Sequence, residues 1–136
     1  MKFITYFLSV FVLFSYSFGA PEEEEEDRVY EKFYGNGQLQ IRGMYIAGEM
    51  EGVWEDFHEN GQLRTRGTYV VGRKTGPWES FYSNGQMQGR GTLQAGRQQG
   101  PEERYYESGQ LLSRGAFKDG QFDGLWEAFY SNGKLI

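Results

Sequence analysis

Residues 53–76 read VWEDFHENGQLRTRGTYVVGRKTG, and residues 77–100 read PWESFYSNGQMQGRGTLQAGRQQG. The blocks align without a gap, Trp54 on Trp78, Glu55 on Glu79, Asn60-Gly61 on Asn84-Gly85 and Arg66-Gly67 on Arg90-Gly91. The same 24-residue period runs outward in both directions: VYEKFYGNGQLQIRGMYIAGEMEG fills 29–52, PEERYYESGQLLSRGAFKDGQFDG fills 101–124, and LWEAFYSNGKLI covers 125–136 as a partial unit. A fixed period of this length marks an array in which each unit stacks on its neighbours.

Two turns recur in each unit. One is Asn-Gly, at 36–37, 60–61, 84–85 and 132–133, weakened to Ser108-Gly109 in the fourth unit. The other is X-Gly, at Ala47-Gly48, Val71-Gly72, Ala95-Gly96 and Asp119-Gly120. Such pairs between aromatic-rich stretches signal hairpins, because a type I′ turn needs positive φ at both central positions. No stretch after residue 28 shows helical spacing. The expected fold is all-β, an elongated single-layer antiparallel meander of about nine strands.

Two-residue loops predict the register. Around Asn84-Gly85, Ser83 faces Gln86, Tyr82 faces Met87, Glu79 faces Arg90 and Trp78 faces Gly91. The same spacing sets Glu31 opposite Arg42, Glu55 opposite Arg66 and Glu103 opposite Arg114 as structural ion pairs. A three-residue loop with a G1 bulge would move the arginines out of line and switch their face.

Alternation then sorts the side chains. One face carries Tyr30, Trp54, Trp78 and Trp126, with Tyr34, Tyr82, Tyr106 and Tyr130, the Leu39, Leu63, Met87, Leu111 and Leu135 column, and Tyr45, Tyr69, Leu93 and Phe117. The opposite face carries the Glu–Arg pairs and the stripe Phe33, Phe57, Phe81, Tyr105 and Phe129. Gly43, Gly67, Gly91 and Gly115 make room for the indoles, and Gly52, Gly76, Gly100 and Gly124 are expected to pair with them through the second turn.

Ahead of the array, Lys2 precedes the apolar run Phe3–Phe14, and small residues follow up to Ala20. This is the pattern of a secretory signal peptide over 1–19, with Ser17 and Gly19 at −3 and −1; a retained membrane anchor is the rival. The protein is thus expected to be secreted or periplasmic. Residues 20–28 contain the acidic run Glu22–Asp27, expected to be a solvated, disordered spacer.

Composition narrows the function classes. The chain has 136 residues, no Cys and one His, which excludes a thiol nucleophile, a disulfide framework and a Cys/His zinc site. Outside Lys2 and the acidic run, basic and acidic residues balance at 13 each, so no nucleic-acid footprint is present. His58 fills a slot that holds Tyr in the other units and reads as a substituted structural aromatic. Each Glu of the column faces an Arg and stays ionised, which argues against glycosidase-type acid catalysis. The expectation is a non-enzyme with no cofactor and no metal.

The pattern G-x-W-E-x-F-Y-x-N-G-Q-L-x-x-R-G-x-Y-x-x-G, carried from Val29 to Ile136, resembles the MORN repeat, in particular the bacterial MORN-variant family. The resemblance implies an elongated sheet of β-hairpins and a non-catalytic module for protein contact, self-association or membrane-lipid association. It also implies the antitoxin-like label many bacterial members carry, which the export signal contradicts. Unit four departs from the pattern at Glu102 and Ser108, so its hairpin is expected to pack least well.

The expected function is an exported scaffold mediating protein–protein interaction or self-association, the latter through an open edge at strand 121–131. Candidate binding residues are Phe33, Phe57, Phe81, Tyr105, Phe129, Trp54, Trp78 and Trp126. The alternatives are a cell-envelope glycan-binding module using the aromatic stripe, and a membrane-surface module.

Overall fold

The glycine-bearing turns reverse the chain at every half-unit, and in the computed structural model, which describes residues 26–136, the product is one open antiparallel sheet. Its strands are β1 (Arg28–Phe33), β2 (Leu39–Ile46), β3 (Glu49–Phe57), β4 (Leu63–Val70), β5 (Arg73–Phe81), β6 (Met87–Gln94), β7 (Arg97–Gln98), β8 (Gly100–Tyr105), β9 (Leu111–Lys118) and β10 (Gln121–Ala128). Neighbours in sequence are neighbours in the sheet, except that both β7 and β8 pair with β6. β7 and β8 are one strand interrupted at Gln99, which turns the expected nine into ten. The expected signal peptide, and the spacer as far as residue 25, lie outside the described residues. Asp27 touches the array: its Oδ1 accepts the Ala47 backbone N–H at 3.2 Å.

The X-Gly turns are two-residue type I′ reversals, as expected. Ala47 and Gly48 have φ of 46° and 77°, and Ile46 faces Glu49 across them. The Asn-Gly turns are not. Gly85 donates to Tyr82 O at 2.9 Å, Tyr82 N donates to Gln86 O at 2.8 Å, and Gly85 alone takes positive φ, at 84°. The loop is therefore Ser83-Asn84-Gly85, a type I turn closed by a G1 bulge. Asn84 stays at negative φ because its side chain is engaged, with Oδ1 accepting Gln86 N at 2.9 Å and Nδ2 donating to Glu107 O at 3.1 Å.

This longer loop does not displace the arginines, because a second irregularity cancels it. Phe81 faces Met87 and Ser80 faces Gly89, leaving Gln88 as an extra residue on β6. Gln40, Arg64 and Leu112 are extra in the same way. The expected Ser83–Gln86 and Tyr82–Met87 pairs do not form, whereas Glu79–Arg90 and Trp78–Gly91 do. The bulge also corrects one column. Leu39, Leu63, Met87, Leu111 and Leu135 stand directly opposite Phe33, Phe57, Phe81, Tyr105 and Phe129, so the register sets them beside the phenylalanine stripe rather than with the tryptophans.

A wider bulge lies between units. On β5, Gly76 and Pro77 are extra between the pairs Gly67–Trp78 and Thr68–Thr75, with Gly76 at φ 73°. Gly52, Gly100 and Gly124 share this left-handed backbone, so the expected glycine–glycine pairing through the second turn is replaced by a bulge that only glycine adopts without strain.

The aromatic face holds what core a single layer has. Trp54 is 7% exposed, and Tyr30, Tyr45 and Tyr69 surround it at ring-centroid distances of 5.7, 5.1 and 6.1 Å. Its indole N–H lacks a hydrogen-bond partner; the Tyr45 ring stands nearly perpendicular to it. Phe117, Phe122 and Trp126 form a second cluster near the other end. Indoles lie on bare backbone at Gly43 (Trp54), Gly91 (Trp78) and Gly115 (Trp126), while Lys74 covers Gly67. Glu102 fills the tryptophan slot of unit four. It is 3% exposed and accepts Gln98 Nε2 at 2.6 Å and Arg104 Nε at 2.7 Å. The slot is packed, but the adjoining ladder is short: β6 and β8 share only Gly89–Arg104 and Arg90–Glu103.

Candidate functional site

The face opposite the tryptophans is built on a charge ladder. Glu31, Arg42, Glu55, Arg66, Glu79, Arg90, Glu103, Arg114 and Glu127 follow one another in register from β1 to β10. The expected pairs are all Cα partners, yet most closed contacts run the other way, from each Arg to the Glu of the next unit. Arg42–Glu55 is 2.6 Å, Arg66–Glu79 3.6 Å, Arg90–Glu103 2.7 Å and Arg114–Glu127 2.5 Å. Of the four expected pairs, only Glu55–Arg66, at 2.9 Å, closes an ion pair among the described residues. Arg42 and Arg114 each lie 5.8 Å from the ring centroid of Phe57 and Phe129 of the following unit, which draws the guanidinium across the junction.

These contacts move the ionisations. Burial, the largest influence on Glu55, pushes its carboxyl up, but hydrogen bonds and charge from Arg42 and Arg66 together hold it below the usual range. Glu103 is lowered first by the Tyr105 hydroxyl, which donates to its Oε2 at 2.7 Å, and then by Arg90. Carboxylates engaged in this way are held in their charged form.

The stripe residues fall on this face. Phe33 is exposed, and Phe57, Phe81, Tyr105 and Phe129 are half-buried. Trp54, Trp78 and Trp126 belong to the other face, where they pack on glycine backbone. The eight candidate binding residues therefore do not form one surface. Three unit junctions on the ladder face carry shallow grooves. The first, of about 480 Å³, lies between Val29, Met44, Ile46, Val53 and Arg42. The second, of about 330 Å³, runs along Pro77, Arg90, Thr92 and Pro101, and the third, of about 320 Å³, along Pro101, Arg114, Leu125 and Glu127. These grooves depend on the inter-unit bulge, which alternation alone cannot reveal.

Sequence reasoning also missed the staples between units. Tyr34, Tyr82 and Tyr106 hydroxyls donate to the carbonyls of Phe57, Tyr105 and Phe129 at 2.7–2.9 Å, and His58 Nε2 bonds Phe81 O at 2.9 Å. His58 thus does the tyrosine's structural work. Asn36, Asn60 and Asn84 reach the next unit in parallel. The signal was present as two columns at a fixed period, but it does not say which carbonyl each side chain reaches. No cluster of metal-ligating side chains occurs among the described residues.

A family model described as MORN repeat variant matches residues 29–47, 50–70, 74–95, 98–119 and 122–136. A search of curated proteins returns no match. The matched segments span most of the chain, and those from 50 onward begin 24 residues apart, the period described above. The chain belongs to the MORN repeat variant family, whose repeats generally mediate contacts with proteins or membranes.

Proposed function

We propose, from the premise that this is a MORN-variant array, that the chain is an exported, non-catalytic scaffold that binds protein. The observation that carries this reading is the ladder face, an exposed strip of alternating charge indented by shallow grooves at successive junctions. Mixed apolar and charged relief spread over many strands suits an extended polypeptide surface better than a small substrate, which calls for an enclosed pocket. The non-catalytic part is supported by the occupation of the candidate groups: Glu55, Glu103 and Glu127 are engaged by arginine, and His58 by a backbone carbonyl. Export is supported by the leader pattern of residues 1–19.

The glycan reading is weakened, because Arg42 and Arg114 already lie over the Phe57 and Phe129 rings that would stack on a sugar. The acidic run ahead of β1 opposes docking on anionic lipid. The test combines light scattering with retention on wall polysaccharide and on anionic liposomes. The expected result is no glycan or lipid retention and an assembly mass that changes with protein partners. Glycan retention lost in a Phe57→Ala/Phe81→Ala variant, or liposome binding that fades with salt, would replace this reading. Export is checked by the mass of the mature chain, expected to begin at Ala20.

A further inference from the structure

The repeat contains its own control: every unit builds the same hairpins, so a residue that the other units do without is not demanded by the fold. On the ladder face the first junction differs from each of the later ones. Met44 corresponds to Thr68, Thr92 and Ala116, and Ile46 to Val70, Gln94 and Lys118. Glu49 corresponds to Arg73, Arg97 and Gln121, and Glu51 to Thr75, Gln99 and Asp123. Only the first junction joins two large apolar side chains to two carboxylates: the second keeps Val70 beside Arg73, the third is polar and basic, and the fourth carries Ala116, Lys118 and Asp123.

These residues share one surface. Val29 faces Met44, Met44 faces Glu51, and Ile46 faces Glu49. Val29, Met44, Ile46 and Val53 are 65, 42, 40 and 55% exposed and line the groove of about 480 Å³. Exposed apolar side chains gathered at a groove and rimmed by charge mark a contact surface. The charge at the groove is predominantly acidic: Glu51 and Glu55 line it together with Arg42, which Glu55 engages at 2.6 Å. Glu51 accepts the Val71 N–H at 2.8 Å, and the neighbouring Glu31 and Glu49 are exposed and close no ion pair among the described residues.

We infer that this groove docks a polypeptide segment of a partner protein that presents apolar side chains flanked by lysine or arginine. The inference rests on the protein-binding reading above and gives it a place and a chemistry. A second copy of the chain fits less well. On a second copy Arg97 faces Gln94, charge without an apolar neighbour, and Arg73 faces the exposed Val70, a single anchor against the four apolar side chains that line the groove.

The test titrates the purified mature protein with three synthetic twelve-residue peptides, one alternating Leu and Lys, one Leu and Glu, and one Ser and Lys. The Leu/Lys peptide is expected to bind at least tenfold more tightly than either other. Replacing Met44→Thr and Ile46→Gln together, the residues unit three carries, should remove most of that preference, whereas Glu107→Gln, an exposed carboxylate in the turn of unit four, leaves it intact. Equal binding of the Ser/Lys peptide would reduce the effect to diffuse charge attraction and overturn the inference. Leu/Lys binding that survives Met44→Thr/Ile46→Gln would keep the protein-binding reading and remove this groove from it. A dimer that these substitutions abolish, with no peptide bound, would make a second copy the occupant and overturn the choice of partner.

Discussion

Arg42 closes its ion pair on Glu55 of the following unit, at 2.6 Å, and not on Glu31, which faces it within its own hairpin. Glu55 also receives Arg66 at 2.9 Å, and its side chain is 12% exposed. It is therefore the carboxylate that joins units one and two. Replacing Glu55→Gln keeps the shape, removes the charge and leaves two arginines competing for one amide oxygen. The expected cost is about 1–3 kcal/mol of unfolding free energy, read from the urea midpoint.

The same residue predicts a pH dependence. The folded Glu55 carboxyl titrates below its ordinary value, so its stabilising contribution is present above the unfolded value, about pH 4.3, and is lost as pH falls through the folded value. Glu103 is shifted the same way and adds to it. Urea midpoints measured from pH 7 down to pH 3 should fall for the parent protein and fall less for Glu55→Gln. Parallel curves would remove Glu55 from the acid transition.

Val71 predicts a gain. It holds φ at 47° in the second type I′ turn, where a β-branched residue is least at ease, and it is 66% exposed with nothing to recommend it by packing. Val71→Asn should stabilise by about 1 kcal/mol, because asparagine accepts the left-handed region that valine resists. Thermal unfolding of the two proteins side by side decides it.

The register was legible because charge repeats with the chain, and the loop was not, for a related reason. Glu79 and Arg90 meet whether the turn has two residues and no bulge, or three residues and an extra Gln88, since the two changes cancel by the time the ladder is reached. Alternation fails between those cancelling points, which is where the Leu39 to Leu135 column was set on the wrong face. The candidate stripe was legible as a face and not as a site, because the grooves come from the backbone at Gly52, Gly76 and their equivalents. The arginines' choice of the next unit was hidden as well, since a periodic pattern presents each Arg with a Glu on both sides.

The tyrosine staples predict a local effect. Tyr82 Oη donates to Tyr105 O at 2.9 Å across the junction where β6 and β8 share only two residue pairs. Tyr82→Phe should cost about 0.5–1.5 kcal/mol. Hydrogen exchange should accelerate in β8 and β9 more than in β2 and β3, whereas Tyr34→Phe should do the opposite. Uniform acceleration in both would mean that the array opens as one unit and that these bonds have no local role.

Two glycines with similar sequence surroundings should respond differently to a methyl group. A Cβ at Gly43 would fall within the Trp54 indole, which Tyr30, Tyr45 and Tyr69 hold in place. A Cβ at Gly67 would meet the flexible end of Lys74. Neither glycine has positive φ, so backbone strain does not enter. Gly43→Ala should therefore destabilise by about 1–3 kcal/mol through overpacking, and Gly67→Ala by less than about 0.5 kcal/mol. Comparable losses at both would show that Trp54 moves as freely as a lysine.

Unit four supplies the last contrast. Glu102 occupies the slot of Trp54, Trp78 and Trp126 and is satisfied there by Gln98 and Arg104. Arg104 is 53% exposed, so it returns to water readily if its partner is removed. Exchanging a buried ion pair for a well-packed apolar side chain is often neutral or stabilising, while deleting one partner is not. Glu102→Trp is therefore expected to match or exceed the parent's melting temperature by filling the slot that interrupts the tryptophan column, whereas Glu102→Ala, which leaves a gap and strands Gln98, should lose about 1–2 kcal/mol. If Glu102→Trp is the worse of the two, the slot is too narrow for an indole, and the interruption at Gln99 marks a unit whose backbone has settled around the carboxylate.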